Sequence, residues 1–135
     1  MKIIIEIDSS RAGALGDPHQ FDQNLREVLA TSFAKHGLPD RISHETAPAP
    51  ETALGLFEAI SWIIEYHTEI TVAVRMGRAV INQITALYSL YGKGRKVTIS
   101  IGGTKIELDK HQSDIEALNH QIEQAFQKAK LETKS

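Results

Sequence analysis

Lys96-Val97-Thr98-Ile99-Ser100-Ile101-Gly102-Gly103-Thr104-Lys105-Ile106-Glu107-Leu108-Asp109 is the stretch that decides the fold. Two runs alternating apolar and polar residues flank Gly102-Gly103, and such alternation marks strands with one wet face. A two-residue glycine loop closes them into a hairpin, because glycine enters positive φ without steric cost. Pairing Ile101 with Thr104 sets Ile99 opposite Ile106 and Val97 opposite Leu108, all on one face. The other face then pairs Ser100 with Lys105, Thr98 with Glu107, and Lys96 with Asp109 as opposite charges. One dry face and one wet face imply a sheet that helices cover on one side.

Working outward towards the C-terminus, Ser113-x-x-Glu116 reads as a capping box. It opens a helix whose Ile115, Leu118, Ile122, Ala125, Phe126 and Ala129 share a stripe. Order is expected through residue 130, with a frayed tail at 131–135. Upstream of the hairpin, Glu69 to Tyr91 reads as a long helix with two apolar stripes. One holds Ile70, Val74, Ile81, Ile84 and Tyr88, the other Val72, Met76, Val80, Leu87 and Tyr91. A helix apolar on two sides is buried. The β-branched residues at 70–74 leave a strand open there, and Gly77 is expected to admit another backbone.

The N-terminal half begins with a strand from Lys2 to Asp8, Ile3, Ile5 and Ile7 sharing one face. Residues 9–16 read as a loop. Asp17-Pro18 suits a helix start, carried on by Phe21, Leu25, Val28, Leu29 and Phe33, and His36-Gly37-Leu38-Pro39 suits its end. Arg41 to Thr46 reads as a short strand and Ala47-Pro48-Ala49-Pro50 as a stiff extended linker. From Glu51 the spacing of Leu54, Phe57, Ile60 and Ile64, widened by Leu56, Trp62 and Ile63, predicts a further helix. The expected order is β-α-β-α-α-β-β-α: an α+β single domain over 1–135, a small antiparallel or mixed sheet with helices packed on one face.

Composition narrows the chemistry. Charged residues make up 24% and apolar residues 41%, values of a folded globular chain. There is no cysteine, which excludes disulfides, thiolate metal sites and cysteine nucleophiles, and fits a cytoplasmic location. The longest uncharged stretch, Ala79 to Gly92, carries Asn82, Gln83, Thr85 and Ser89, and is shorter than the ~20 apolar residues of a membrane span. Residues 1–66 hold 5 basic and 10 acidic side chains, a net of −5, against 10 and 7, a net of +3, in 67–135. That asymmetry suits head-to-tail association or an anionic partner.

Six histidines, His19, His36, His44, His67, His111 and His120, form no ligand pair at helical spacing. No metal or cofactor is expected. No serine sits in a G-x-S-x-G elbow, and Gly92-Lys93-Gly94-Arg95-Lys96 lacks the spacing of a phosphate loop. Glu58, Glu65 and Glu69 are the carboxylates available for acid–base work in a small enzyme or toxin. Arg75, Arg78, Lys93, Arg95 and Lys96, near Tyr88 and Tyr91, are the residues a nucleic-acid patch would use. Trp62, Tyr66, Tyr88 and Tyr91 are the large amphipathic side chains that anchor protein interfaces when exposed.

The whole pattern resembles a known family. The Ile-rich first strand, the Ala47-Pro48-Ala49-Pro50 linker, the glycine-containing segment Ala53-Leu54-Gly55-Leu56-Phe57-Glu58-Ala59-Ile60, the hairpin through Asp109 and the final amphipathic helix are similar to the effector-associated constant component domains of bacterial conflict systems. The resemblance covers most of residues 2–130 and transfers no site residues. It implies a non-catalytic adaptor that tethers an effector to its partners, by docking another protein or by self-association.

Overall fold

The computed structural model describes residues 1–8, 18–48, 58–91, 96–108 and 114–134. Within these residues five strands and three helices follow in the order β1 (Lys2–Asp8), α1 (Pro18–His36), β2 (Arg41–Pro48), β3 (Glu58–Glu65), α2 (Ile70–Tyr91), β4 (Lys96–Ile101), β5 (Thr104–Glu107) and α3 (Ile115–Lys134). The strands form one antiparallel sheet, ordered β2-β3-β1-β4-β5.

The β4–β5 hairpin has the register its side-chain alternation demands: Ile101 faces Thr104, Ile99 faces Ile106 and Thr98 faces Glu107. Gly102 carries φ +61, and its N–H donates to the Lys2 carbonyl at 3.0 Å, tying the turn to β1. The expected Lys96–Asp109 pair lies outside the described residues.

One face of the sheet is dry. Ile3, Ile5, Ile7, Ile60, Trp62, Ile64, Val97, Ile99, Ile101 and Ile106 form a single core with Leu25 and Leu29 of α1, with Ala73, Val80, Ile81 and Ile84 of α2, and with Leu118, Ile122 and Phe126 of α3. All three helices therefore cover the same face. On the open face the strand registers line up Ser43-Ile63-Ile4-Ser100-Lys105 and, beside it, Glu45-Ser61-Glu6-Thr98-Glu107.

The α+β class and the helices on one face agree with the sequence reading. Residues 58–65, however, form a strand, where their spacing suggests a helix. Ile60 and Ile64 are four apart and so fit a helical stripe, but Ile60, Trp62 and Ile64 also alternate. Strand pairing on both sides, with β1 and with β2, selects the alternation. Leu54 and Phe57 lie outside the described residues.

Other boundaries shift less. Residues 70–74 are helical. Ala47 and Pro48 continue β2 and do not form a linker, with Pro48 at the strand end, where a missing N–H is tolerated. α1 ends as its sequence suggests: Gly37, at φ +117, donates its N–H to the Phe33 carbonyl at 2.9 Å. At α3 Asp114 caps the helix, and the expected capping residue, Ser113, lies outside the described residues. The Asp114 Oδ1 accepts from the Ala117 N–H at 3.0 Å. Ile115 is exposed, and α3 runs on to Lys134, beyond the expected limit of order. Gly77 of α2 admits side chains: a Cβ there would stand 2.8 Å from the Met1 Cε, 3.0 Å from the Ile3 Cδ1 and 3.1 Å from the Phe126 Cε1.

Candidate functional site

Three of the four aromatic residues expected to serve as surface anchors are structural. Trp62, Tyr66 and Tyr88 are 7%, 1% and 5% exposed and belong to the core. Tyr91 closes α2, and its side chain, like all of Arg95, lies outside the described residues. The expected basic corner is divided. Arg75 and Arg78 lie in the first half of α2, whereas Lys96 opens β4, beyond the other end of that helix. Thirteen helical steps separate Arg78 from Tyr91, a span of about 20 Å.

The carboxylates have local partners. Glu65 reaches Lys2 at 3.5 Å and His67 at 3.3 Å. Partial desolvation pulls its pKa up, but the hydrogen bond from Lys2 and the charges of Lys2, Arg41 and His67 outweigh this and hold it below the usual value. Glu69 caps α2, accepting from the N–H groups of Thr71 at 3.0 Å and Val72 at 3.3 Å, and those bonds lower its pKa. Glu58 opens β3, and its side chain lies outside the described residues.

Arg75 and Arg78 instead meet new neighbours. Between α2 and α3 runs a groove of about 670 Å³, lined by His36, Arg75, Arg78, Asn82, Gln127 and Lys130, among others, with Phe126 and Val74 in its apolar floor. The Arg78 guanidinium lies 5.8 Å from the Phe126 ring centroid and pairs with Glu123 through Nη2. Its Nε is buried and finds no hydrogen-bond partner among the described residues. Arg75 is exposed and makes no ion pair among them. Lys130 is near enough to lower the pKa of Glu69. The groove is thus cationic, with an apolar floor, suited to carboxylates carried on an apolar backbone or side chain. Sequence reading named Arg75 and Arg78 but missed Lys130 and His36, because only the packing of α3 and the end of α1 brings those two to α2.

A second polar cluster joins α1 to the sheet. The buried Asp22 accepts from Trp62 Nε1 at 2.7 Å, Arg26 Nε stands 3.2 Å from its second oxygen, and His44 Nε2 is 3.4 Å from that oxygen. Arg26 Nη2 is 3.0 Å from His44 Nδ1. Arginine only donates, so Nδ1 accepts at that contact, and Nη2 also stands 3.4 Å from Nε2. The His44 and Trp62 rings lie 4.4 Å apart, and Arg26 sits 5.0 Å from the Trp62 ring centroid. With both imidazole nitrogens engaged, the cluster serves as a clamp. No group of three metal-ligating side chains occurs among the described residues, and none of their helices is long and apolar enough to cross a membrane.

Comparison with known proteins finds no matching family model, no matching curated protein and no matching solved structure.

Proposed function

We propose that the chain is a non-catalytic docking module whose α2–α3 groove receives an acidic segment of a protein partner. The observation that carries this reading is Arg75: an exposed guanidinium without a counter-ion among the described residues, beside Arg78, whose Nε has no partner among them, on the rim of a groove with an apolar floor. Unneutralised cations beside buried apolar surface favour a partner bringing carboxylates and apolar side chains together. The likeness to effector-associated constant component domains supplies the role: tethering an effector in a bacterial conflict system.

The test is affinity capture from the native cell with mass spectrometry, comparing the wild-type chain with Arg75→Glu. Arg75 is exposed, so the charge reversal leaves folding intact. The same protein should be captured by the wild type and lost with the variant. A captured set indifferent to Arg75 would sink the groove reading. Capture that disappears on nuclease treatment would show that the groove holds nucleic acid instead.

A further inference from the structure

The outer edge of β2 is self-complementary, and from it we infer that two copies of this chain join edge to edge through β2 into a continuous ten-stranded sheet. This inference goes beyond groove docking and does not depend on it.

The main-chain directions follow from the registers. The Met1 amine donates to the Tyr66 carbonyl at 2.7 Å, and the Tyr66 N–H donates back to the Met1 carbonyl at 2.9 Å. In an antiparallel pair, residues alternate between bonding the neighbour and facing away. Even-numbered residues of β3 therefore bond to β1, and odd-numbered ones face β2. With Ser43 opposite Ile63 and Glu45 opposite Ser61, the odd residues of β2 point their amides inward. Ile42, His44 and Thr46 point theirs outward, and no described strand pairs with that side. An eight-residue edge whose outward amides pair with no described strand is a template for another strand.

The side chains select the register. In an antiparallel junction with Ile42 opposite the second copy's His44, and His44 opposite its Ile42, the outward amides of both residues close four hydrogen bonds around a two-fold axis at Ser43. That register sets Arg41 across from Glu45 of the other copy, twice, on the open face of the sheet. Both residues are exposed, and neither forms a close ion pair within the described residues, although the Arg41 charge acts on Glu65 across the β2–β3 register. On the helix side it places Ile42, 43% exposed, against the second copy's His44. Sliding by two residues sets Arg41 against Ser43 or Ala47 and loses both ion pairs. Sliding by four sets Arg41 against Arg41 or Glu45 against Glu45, which repels. Of these registers only the one centred on Ser43 satisfies charges and amides together, and a two-fold contact of this kind closes at the dimer.

Sedimentation equilibrium across micromolar to millimolar protein tests the inference. The wild type should dimerise, and Arg41→Glu and Glu45→Arg should each raise the dissociation constant by about tenfold or more. The double variant R41E/E45R should regain the dimer. Mixing the two single variants should give a heterodimer, because one then presents two acidic and the other two basic residues. Amide hydrogen exchange adds a second readout: Ile42 and His44 should gain protection with concentration, and Ser43 should not. If Arg41→Glu misfolds, Glu45→Arg and its mixture with wild type still discriminate, since that mixture should associate less than wild type alone. A monomer at all concentrations overturns the inference, as does a dimer indifferent to both charge reversals. In either case Arg75-dependent capture of a partner remains a separate result.

Discussion

Trp62 Nε1 donates a 2.7 Å hydrogen bond to Oδ1 of Asp22 in the protein interior, across 40 residues of sequence. The bond ties α1 to β3, and the second Asp22 oxygen meets Arg26 of the same helix and His44 of the adjacent β2. Removing the acceptor strands a buried indole N–H and frees a cation. Asp22→Ala should therefore cost about 3 kcal/mol, and Asp22→Asn, which can still accept from Trp62, roughly half that. Urea unfolding followed by fluorescence checks both, since Trp62 is the single tryptophan.

Gly77 sets two effects against each other. Alanine in a helix interior gains about 1 kcal/mol over glycine. Here its methyl would press on Met1, Ile3 and Phe126 at 2.8 to 3.1 Å. The Met1 methyl can swing aside, but Ile3 and Phe126 are fully buried. Overpacking of about 2 kcal/mol should outweigh the propensity, so Gly77→Ala should lose about 1 kcal/mol net by chemical denaturation.

Tyr66 is 1% exposed, and its hydroxyl has no hydrogen-bond partner among the described residues. Burial, aided by the Asp40 charge, pushes its pKa up to about 12. The ordinary tyrosine value is near 10, so the folded chain keeps a proton that the unfolded chain releases in between. Stability should be intact below about pH 10 and fall as pH rises towards 12, at up to about 1.4 kcal/mol per pH unit from this group. Tyr66→Phe should remove that component and be neutral or stabilising at pH 7, because it deletes an unsatisfied hydroxyl. Paired urea titrations at pH 7 and pH 11 measure the difference.

Glu69 gives the opposite pH dependence. Its bonds to the Thr71 and Val72 amides hold its folded pKa below the unfolded one. Its contribution is present above the unfolded carboxylate pKa and is lost as pH falls through the folded value. Glu69→Ala should lower the melting temperature at pH 7, and the gap to wild type should shrink below about pH 4. A gap that stays constant with pH would mean the carboxylate does not act as the cap.

Sequence alone determined what depends on near neighbours. The β4–β5 register was readable because a two-residue glycine turn leaves the flanking alternation one way to pair. The α1 end was readable because Gly37 and Pro39 act within one helical turn. Lone local signals failed where two periods coincided: Ile60 and Ile64 suit a helix, Ile60, Trp62 and Ile64 suit a strand, and spacing cannot choose between them. Tertiary structure chose. β3 lies between β1 and β2, and their unpaired amides outweigh an isolated helical stripe in a segment that can satisfy both neighbours. The same non-locality hid the candidate surfaces. Arg75 was visible as a charge, but Lys130, His36 and the floor of Phe126 reach it only once α3 packs beside α2. Trp62 was visible as an aromatic, but the partner that holds it in the core, Asp22, lies on another element. Strand identity and surface make-up are set by contacts between distant segments, whose energy exists only after the chain has closed on itself.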